Sequence, residues 1–147
     1  MKTIKQYATD FFENERGAAN ILTAEQVLTL LISAVHFYRG FASTEIEKQI
    51  LVENRCKCNF LGTCDTCKEL KNNFNITENL LLDYGEYAII KPLFLLYVER
   101  ETALQLEASR QLGADVFGRS SSEISADINN YELQLQKLAF NQDIISV

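Results

Sequence analysis

The 147-residue sequence contains one proline, one histidine and no tryptophan. With so little proline to interrupt them, regular elements should fill most of the chain. The histidine, His36, lies half a turn away from the apolar face of its predicted helix, so we expect it to be exposed. Nucleophilic catalysis requires a base beside the nucleophile, and no second histidine exists to supply one. The sequence therefore predicts that the protein is not an enzyme.

Clusters of positive charge and long apolar runs are also missing. The chain has 14 Lys plus Arg against 20 Asp plus Glu, a formal net charge of −6, which disfavours binding to a nucleic-acid backbone. Its longest apolar run, Leu93–Val98, is far below the roughly 20 residues that span a bilayer. Residues 1–17 lack the apolar core of a secretory signal. We therefore expect a cytosolic protein with no membrane partner.

The length and the overall composition of the chain indicate one globular domain. Hydrophobic residues make up 47% and charged residues 23% of a chain long enough for a single core. The predicted fold class is mainly α: a small helical bundle with a long kinked helix, a four-cysteine metal loop and an extended C-terminal arm or strand. The predicted single domain, 1–147, comprises an N-terminal helical arm (1–20), a helix (21–41), a cysteine-rich loop (53–75), a helical core (83–137) and the arm (138–147).

Helix starts are marked by pairs of residues with capping-box spacing. Thr23 with Gln26 and Ser120 with Glu123 open two amphipathic helices, and Asp83 with Glu86 opens a third that is predicted to end near Gly113. Apolar residues then recur at helical spacing. They are Val27, Leu30, Leu31, Ala34, Tyr38 and Phe41 in the first helix, and Ile124, Ile128, Tyr131, Leu135 and Leu138 in the last.

The segment Ala88–Val98 is apolar on nearly every side, and Pro92 within it predicts a kink. A helix that is apolar all round must be covered all round, which one neighbouring helix in a small chain cannot do. We therefore expect a second copy or a partner protein to cover part of it. The C-terminal residues 138–147 lose helical spacing and end in Ile144, Ile145 and Val147, so they are predicted to dock as an extended arm, such as a strand added to another chain.

All four cysteines, Cys56, Cys58, Cys64 and Cys67, lie in one short stretch that includes Gly62. Two close pairs separated by a turn can bring four thiolates to a tetrahedral zinc ion at about 2.3 Å. The separation between the pairs is shorter than in the usual zinc ribbon. Two disulfides are the main alternative to structural zinc, followed by free thiols and an iron–sulfur cluster.

The stretch Tyr84 to Val147 resembles the small head-completion or head-tail connector proteins of tailed bacteriophages. The resemblance is carried by Tyr97-Val-Glu-Arg100, by Gly113-Ala-Asp-Val-Phe-Gly-Arg-Ser120, by Glu123-Ile-Ser-Ala-Asp127 in a serine-capped helix, and by the extended apolar end. The four-cysteine loop departs from the family pattern.

This resemblance implies a structural virion protein in the neck, assembled in the host bacterial cytoplasm. Such a protein forms a homo-oligomeric ring that contacts the portal protein on one side and tail-completion proteins on the other. DNA would then only pass through the channel, and an acidic lining would let its phosphates slide. The cysteine loop favours a different hypothesis, a soluble zinc-binding regulatory or redox-sensing protein.

We predict that native mass spectrometry combined with elemental analysis will find zinc bound to the oligomeric chain. Mild peroxide, followed by thiol titration, then separates the two hypotheses. A structural site should lose only stability when its thiolates are oxidised, whereas a sensor should release zinc and change activity. A purified chain with four oxidised cysteines and no metal would contradict the zinc assignment.

Overall fold

The computed structural model describes residues 1–15, 21–46, 76–110 and 118–140. These residues form four α-helices, a short π-helix and one small sheet. In chain order the elements are β1 (Lys2–Thr3), α1 (Ile4–Asp10), the π-helix (Phe11–Glu15), α2 (Ala24–Arg39), β2 (Leu81–Leu82), α3 (Tyr84–Arg110) and α4 (Ser121–Phe140). The predicted mainly helical class is confirmed.

The N-terminal residues are held in the fold by a two-stranded antiparallel sheet. Lys2 pairs with Leu82 and Thr3 pairs with Leu81. Thr3 is also the N-cap of α1, because its side chain accepts a hydrogen bond from the Gln6 backbone while the Gln6 side chain accepts one from the Thr3 backbone. The start of α1 therefore lies beside the residues that lead into α3.

The other helix starts use the pairs that the sequence indicates. Thr23 and Gln26 form a full capping box at α2. Ser120 and Glu123 exchange backbone-to-side-chain bonds of 3.1 and 3.3 Å at α4. At α3 the Asp83 side chain accepts from Gly85 N–H at 3.0 Å. Each pair satisfies backbone donors that a helix end leaves without a partner.

The core lies where α1, α2 and α4 pack around α3. The largest fully buried side chains include Tyr38 of α2, Phe94 of α3 and Leu135 of α4. The Phe11 ring meets the Phe94 ring edge-on at 5.0 Å between centroids. The N-terminal helix thus contributes directly to the same core as the helices that follow.

Of two predictions about the ends of the helices, one lies outside the described residues and one is corrected. α3 is continuous through Pro92 and is described to Arg110, so the predicted stop at Gly113 lies outside the described residues. α4 extends to Phe140, which corrects the prediction that the extended arm begins at residue 138. The physical reason is that Ala139, buried four residues after buried Leu135, carries the apolar face one turn further, while Leu138 is 42% exposed. Residues 141–147 lie outside the described residues.

Candidate functional site

The predicted metal ligands Cys56, Cys58, Cys64 and Cys67 lie outside the described residues. Within the described ranges, no group of three or more His, Cys, Asp or Glu side chains is placed to hold a metal ion. None of the described helices is long and apolar enough to cross a membrane. His36 is exposed, as its place on the helix predicts.

A buried carboxylate fixes the point where the chain leaves the core toward the cysteine-rich segment. Glu86 is 3% exposed and accepts backbone hydrogen bonds from Glu45 at 2.6 Å and from Asp83 at 2.8 Å. Thr44, just before this contact, is completely buried. One side chain therefore ties the start of α3 to the residues that precede the cysteines, a role that the capping-box spacing alone did not indicate.

The most prominent surface feature is a row of exposed, mostly apolar side chains along the first half of α3. Tyr84, Ala88, Pro92 and Leu95 are all exposed, with Tyr84 at 59% and Leu95 at 39%. Their spacings of four, four and three residues bring them to one side of a helix that turns about 100° per residue. We call these four residues the α3 stripe.

The opposite side of the same helix is covered by the chain itself. Ile90, Leu93 and Phe94 are completely buried and Val98 is 6% exposed. The chain's own fold therefore buries a larger part of Ala88–Val98 than we expect for a segment that is apolar on nearly every side. The residues of this segment that stay exposed, Ala88, Pro92 and Leu95, belong to the α3 stripe. Their helical spacing is the feature of the sequence that could have indicated the stripe.

Charged residues beside the α3 stripe are already paired within the chain. Lys91 Nζ lies 2.6 Å from Glu15 Oε2, and Arg119 lies 3.5 Å from Glu99 Oε1. Arg119 also forms an ion pair with Asp127. Lys91 and Glu99 beside the stripe are therefore both paired, with Glu99 and Asp127 sharing the single positive charge of Arg119, and the four side chains of the stripe carry no charge.

Aromatic rings support one end of the stripe. The Tyr7 and Tyr87 rings stack at 3.8 Å with 14° between their planes, and exposed Tyr84 meets Tyr7 edge-on at 6.4 Å. Burial, followed by the nearby Glu15 carboxylate, raises the pKa of Tyr87 from 10.0 to about 12. The Tyr7 hydroxyl is buried and has no hydrogen-bond partner among the residues that the structure describes. The three tyrosines of the cluster thus pack mainly through their rings.

Helix α4 holds the far side of α3 through polar contacts. Tyr97 donates its hydroxyl hydrogen to Glu132 at 2.9 Å, and burial together with that carboxylate raises the pKa of Tyr97. Glu107 accepts from both the backbone and the hydroxyl of Ser121, at 2.7 and 2.8 Å. Glu99, whose side chain is 43% exposed, lies 3.5 Å from Arg119 just before α4. These contacts fix the orientation of α3 and of its stripe.

A scan against protein-family models, a search of curated proteins and a search of solved structures each returned no match. The described geometry presents a positioned helix surface. Its most specific features are the α3 stripe and the polar contacts that orient α3.

The raised pKa of Tyr87 predicts a loss of stability in alkali. Unfolded tyrosine ionises near its ordinary pKa of 10.0, whereas folded Tyr87 holds its proton until about pH 12. The stabilising contribution is therefore complete below about pH 10 and is lost as the pH rises to about 12. Urea unfolding measured across this range should show a smaller loss for Tyr87→Phe than for the unsubstituted chain.

Urea unfolding of the two proteins at pH 7 provides the baseline for this comparison, because neither tyrosine nor phenylalanine carries a charge at that pH. Equal losses of stability in the two proteins between pH 10 and 12 would mean that Tyr87 does not contribute to the alkaline transition.

Proposed function

We propose that this chain is a structural subunit of an oligomeric assembly in which the α3 stripe contacts a second copy of the chain. The observation that carries the proposal is the exposure of Tyr84, Ala88, Pro92 and Leu95 on one side of the first half of α3, where Ile90, Leu93 and Phe94 on the opposite side are completely buried. Solvent-facing apolar side chains that align along a helix are typical of protein interfaces.

Local charge supports a second copy as the occupant. Chains of net charge −6 repel one another, so they associate best through surface that carries no net charge. The α3 stripe meets this requirement, because its own four side chains carry no charge. Lys91 and Glu99 at its borders lie in ion pairs with Glu15 and Arg119. Exposed Tyr84 adds an aromatic ring, the side-chain type most enriched in interface cores.

The assembly that we propose is the neck of a tailed bacteriophage, where the chain is a head-completion or head-tail connector protein. The support is the resemblance of residues 84–147 to that family, together with the mainly helical fold. In this proposal the chain forms a ring in the virion, with the portal protein on one side and tail-completion proteins on the other. It acts by assembly rather than by catalysis, and DNA passes through the ring without specific recognition.

Three finer features belong to the same proposal. Pro92 lacks a backbone N–H, so a kink there would tilt the two halves of α3 and curve the contact between subunits. The cysteines at 56, 58, 64 and 67 would hold a structural zinc ion in a segment with few apolar residues. The apolar residues after Phe140 would extend as an arm that reaches a neighbouring subunit or partner.

Leu95→Glu tests the proposed contact. A carboxylate placed in an apolar interface must be desolvated without a partner, so self-association should weaken by at least about tenfold. Native mass spectrometry and sedimentation velocity over a range of protein concentrations measure the change.

Leu104→Glu is the matched control. Leu104 lies on the same helix, is 44% exposed compared with 39% for Leu95, and is nine residues away, about half a turn around the helix. It should leave self-association unchanged. If both variants associate like the unsubstituted chain, or if that chain is monomeric at every concentration, the stripe is not a subunit interface.

A further inference from the structure

A second surface with a different character lies between α1 and the start of α2. It is a groove of about 410 Å³ whose apolar lining includes Ala8, Phe12 and Leu28. Phe12 and Leu28 are only partly buried, so their side chains remain accessible from the groove. This volume is enough for a few side chains of a docked segment.

Charge around the groove is unbalanced. Three carboxylates, those of Glu13, Glu25 and Glu78, lie along it with the single ammonium group of Lys5. Lys5 Nζ is 3.2 Å from Glu78 Oε2, which leaves that pair neutral. Among the residues that the structure describes, neither Glu13 nor Glu25 forms an ion pair. The groove thus combines an apolar lining with two negative charges that no cation in the described part of the chain compensates.

This combination fits a side chain that has an apolar stem and a cationic head. Arginine and lysine pack their methylene groups on apolar surface while the charged end stays near water. A guanidinium group also matches the geometry of a carboxylate, with two parallel hydrogen bonds. A cationic ligand is therefore favoured over an anionic or purely apolar one.

We propose that the groove formed by α1 and α2 binds an arginine- or lysine-bearing amphipathic segment of a partner protein. An open channel between two helices accepts one face of a third helix. A second copy is a poor occupant, since this chain carries net charge −6 and has no basic cluster to offer. The negative charge of the groove also opposes nucleic acid. The groove involves α1 and α2, so this proposal is separate from the contact at the α3 stripe.

The experiment is an NMR titration of the full-length chain with two blocked, alanine-rich helical peptides. Both contain leucines four residues apart; one carries arginines beside them and the other carries glutamates at the same positions. The arginine peptide should shift the amide resonances of Ala8, Phe12 and Leu28, and the glutamate peptide should not. Glu13→Gln and Glu25→Gln should each weaken binding by about two- to fivefold, within the range expected for an exposed ion pair.

Glu101→Gln removes the same charge from α3 and should leave the affinity unchanged, which separates a local contact from the effect of net charge. The titration is repeated on Leu95→Glu, so that failure of the stripe contact and failure of the groove are distinguishable. Equal shifts with both peptides, or no effect of either groove substitution, would overturn the proposal.

Two further outcomes would identify a different occupant and would also overturn it. Binding of n-hexylguanidinium without binding of the arginine peptide would indicate a small-molecule site. Shifts at Ala8, Phe12 and Leu28 when the chain alone is concentrated would indicate a second copy.

Discussion

The need to cover helix α3 determines how the rest of the fold is arranged. Its first half is apolar on several sides, and such a helix is stable in water only when other surfaces remove those side chains from solvent. α2 packs along α3, Phe11 of the π-helix lies against Phe94, and α4 runs back along another side. The side left over is the α3 stripe. The proposed subunit contact therefore follows from the same burial that builds the core.

Polar side chains fix the position and orientation of α3, which apolar packing alone leaves undefined. Burial is non-directional, so a helix in a small core can rotate or slide unless directional bonds fix it. Glu86 joins the start of α3 to the backbone of Glu45, and Glu107 joins its far half to Ser121. These two carboxylates, with the Tyr97 to Glu132 bond, hold α3 at both ends. The stripe and the acidic groove consequently have fixed places on the surface.

The parts of the fold that could be predicted are those that depend on residues close to one another in the sequence. Capping spacings at Thr23 and Ser120 identify helix starts, because the paired side chains satisfy backbone groups only a few residues away. The buried and exposed sides of α3 could not be separated in the same way, since its composition is apolar around most of its circumference. The groove combines residues from distant parts of the chain, Glu13 with Glu78 for example, and no spacing rule brings such residues together. The cysteine site stays a prediction.

Covalent labelling of solvent-exposed side chains at several protein concentrations tests the central claim most directly. The account predicts that Tyr84 and Leu95 become protected as the concentration rises, while Leu104 and Leu133, which are 44% and 61% exposed, keep their labelling. If Leu95 is labelled equally at every concentration in a chain that stays folded, then no other subunit covers the α3 stripe.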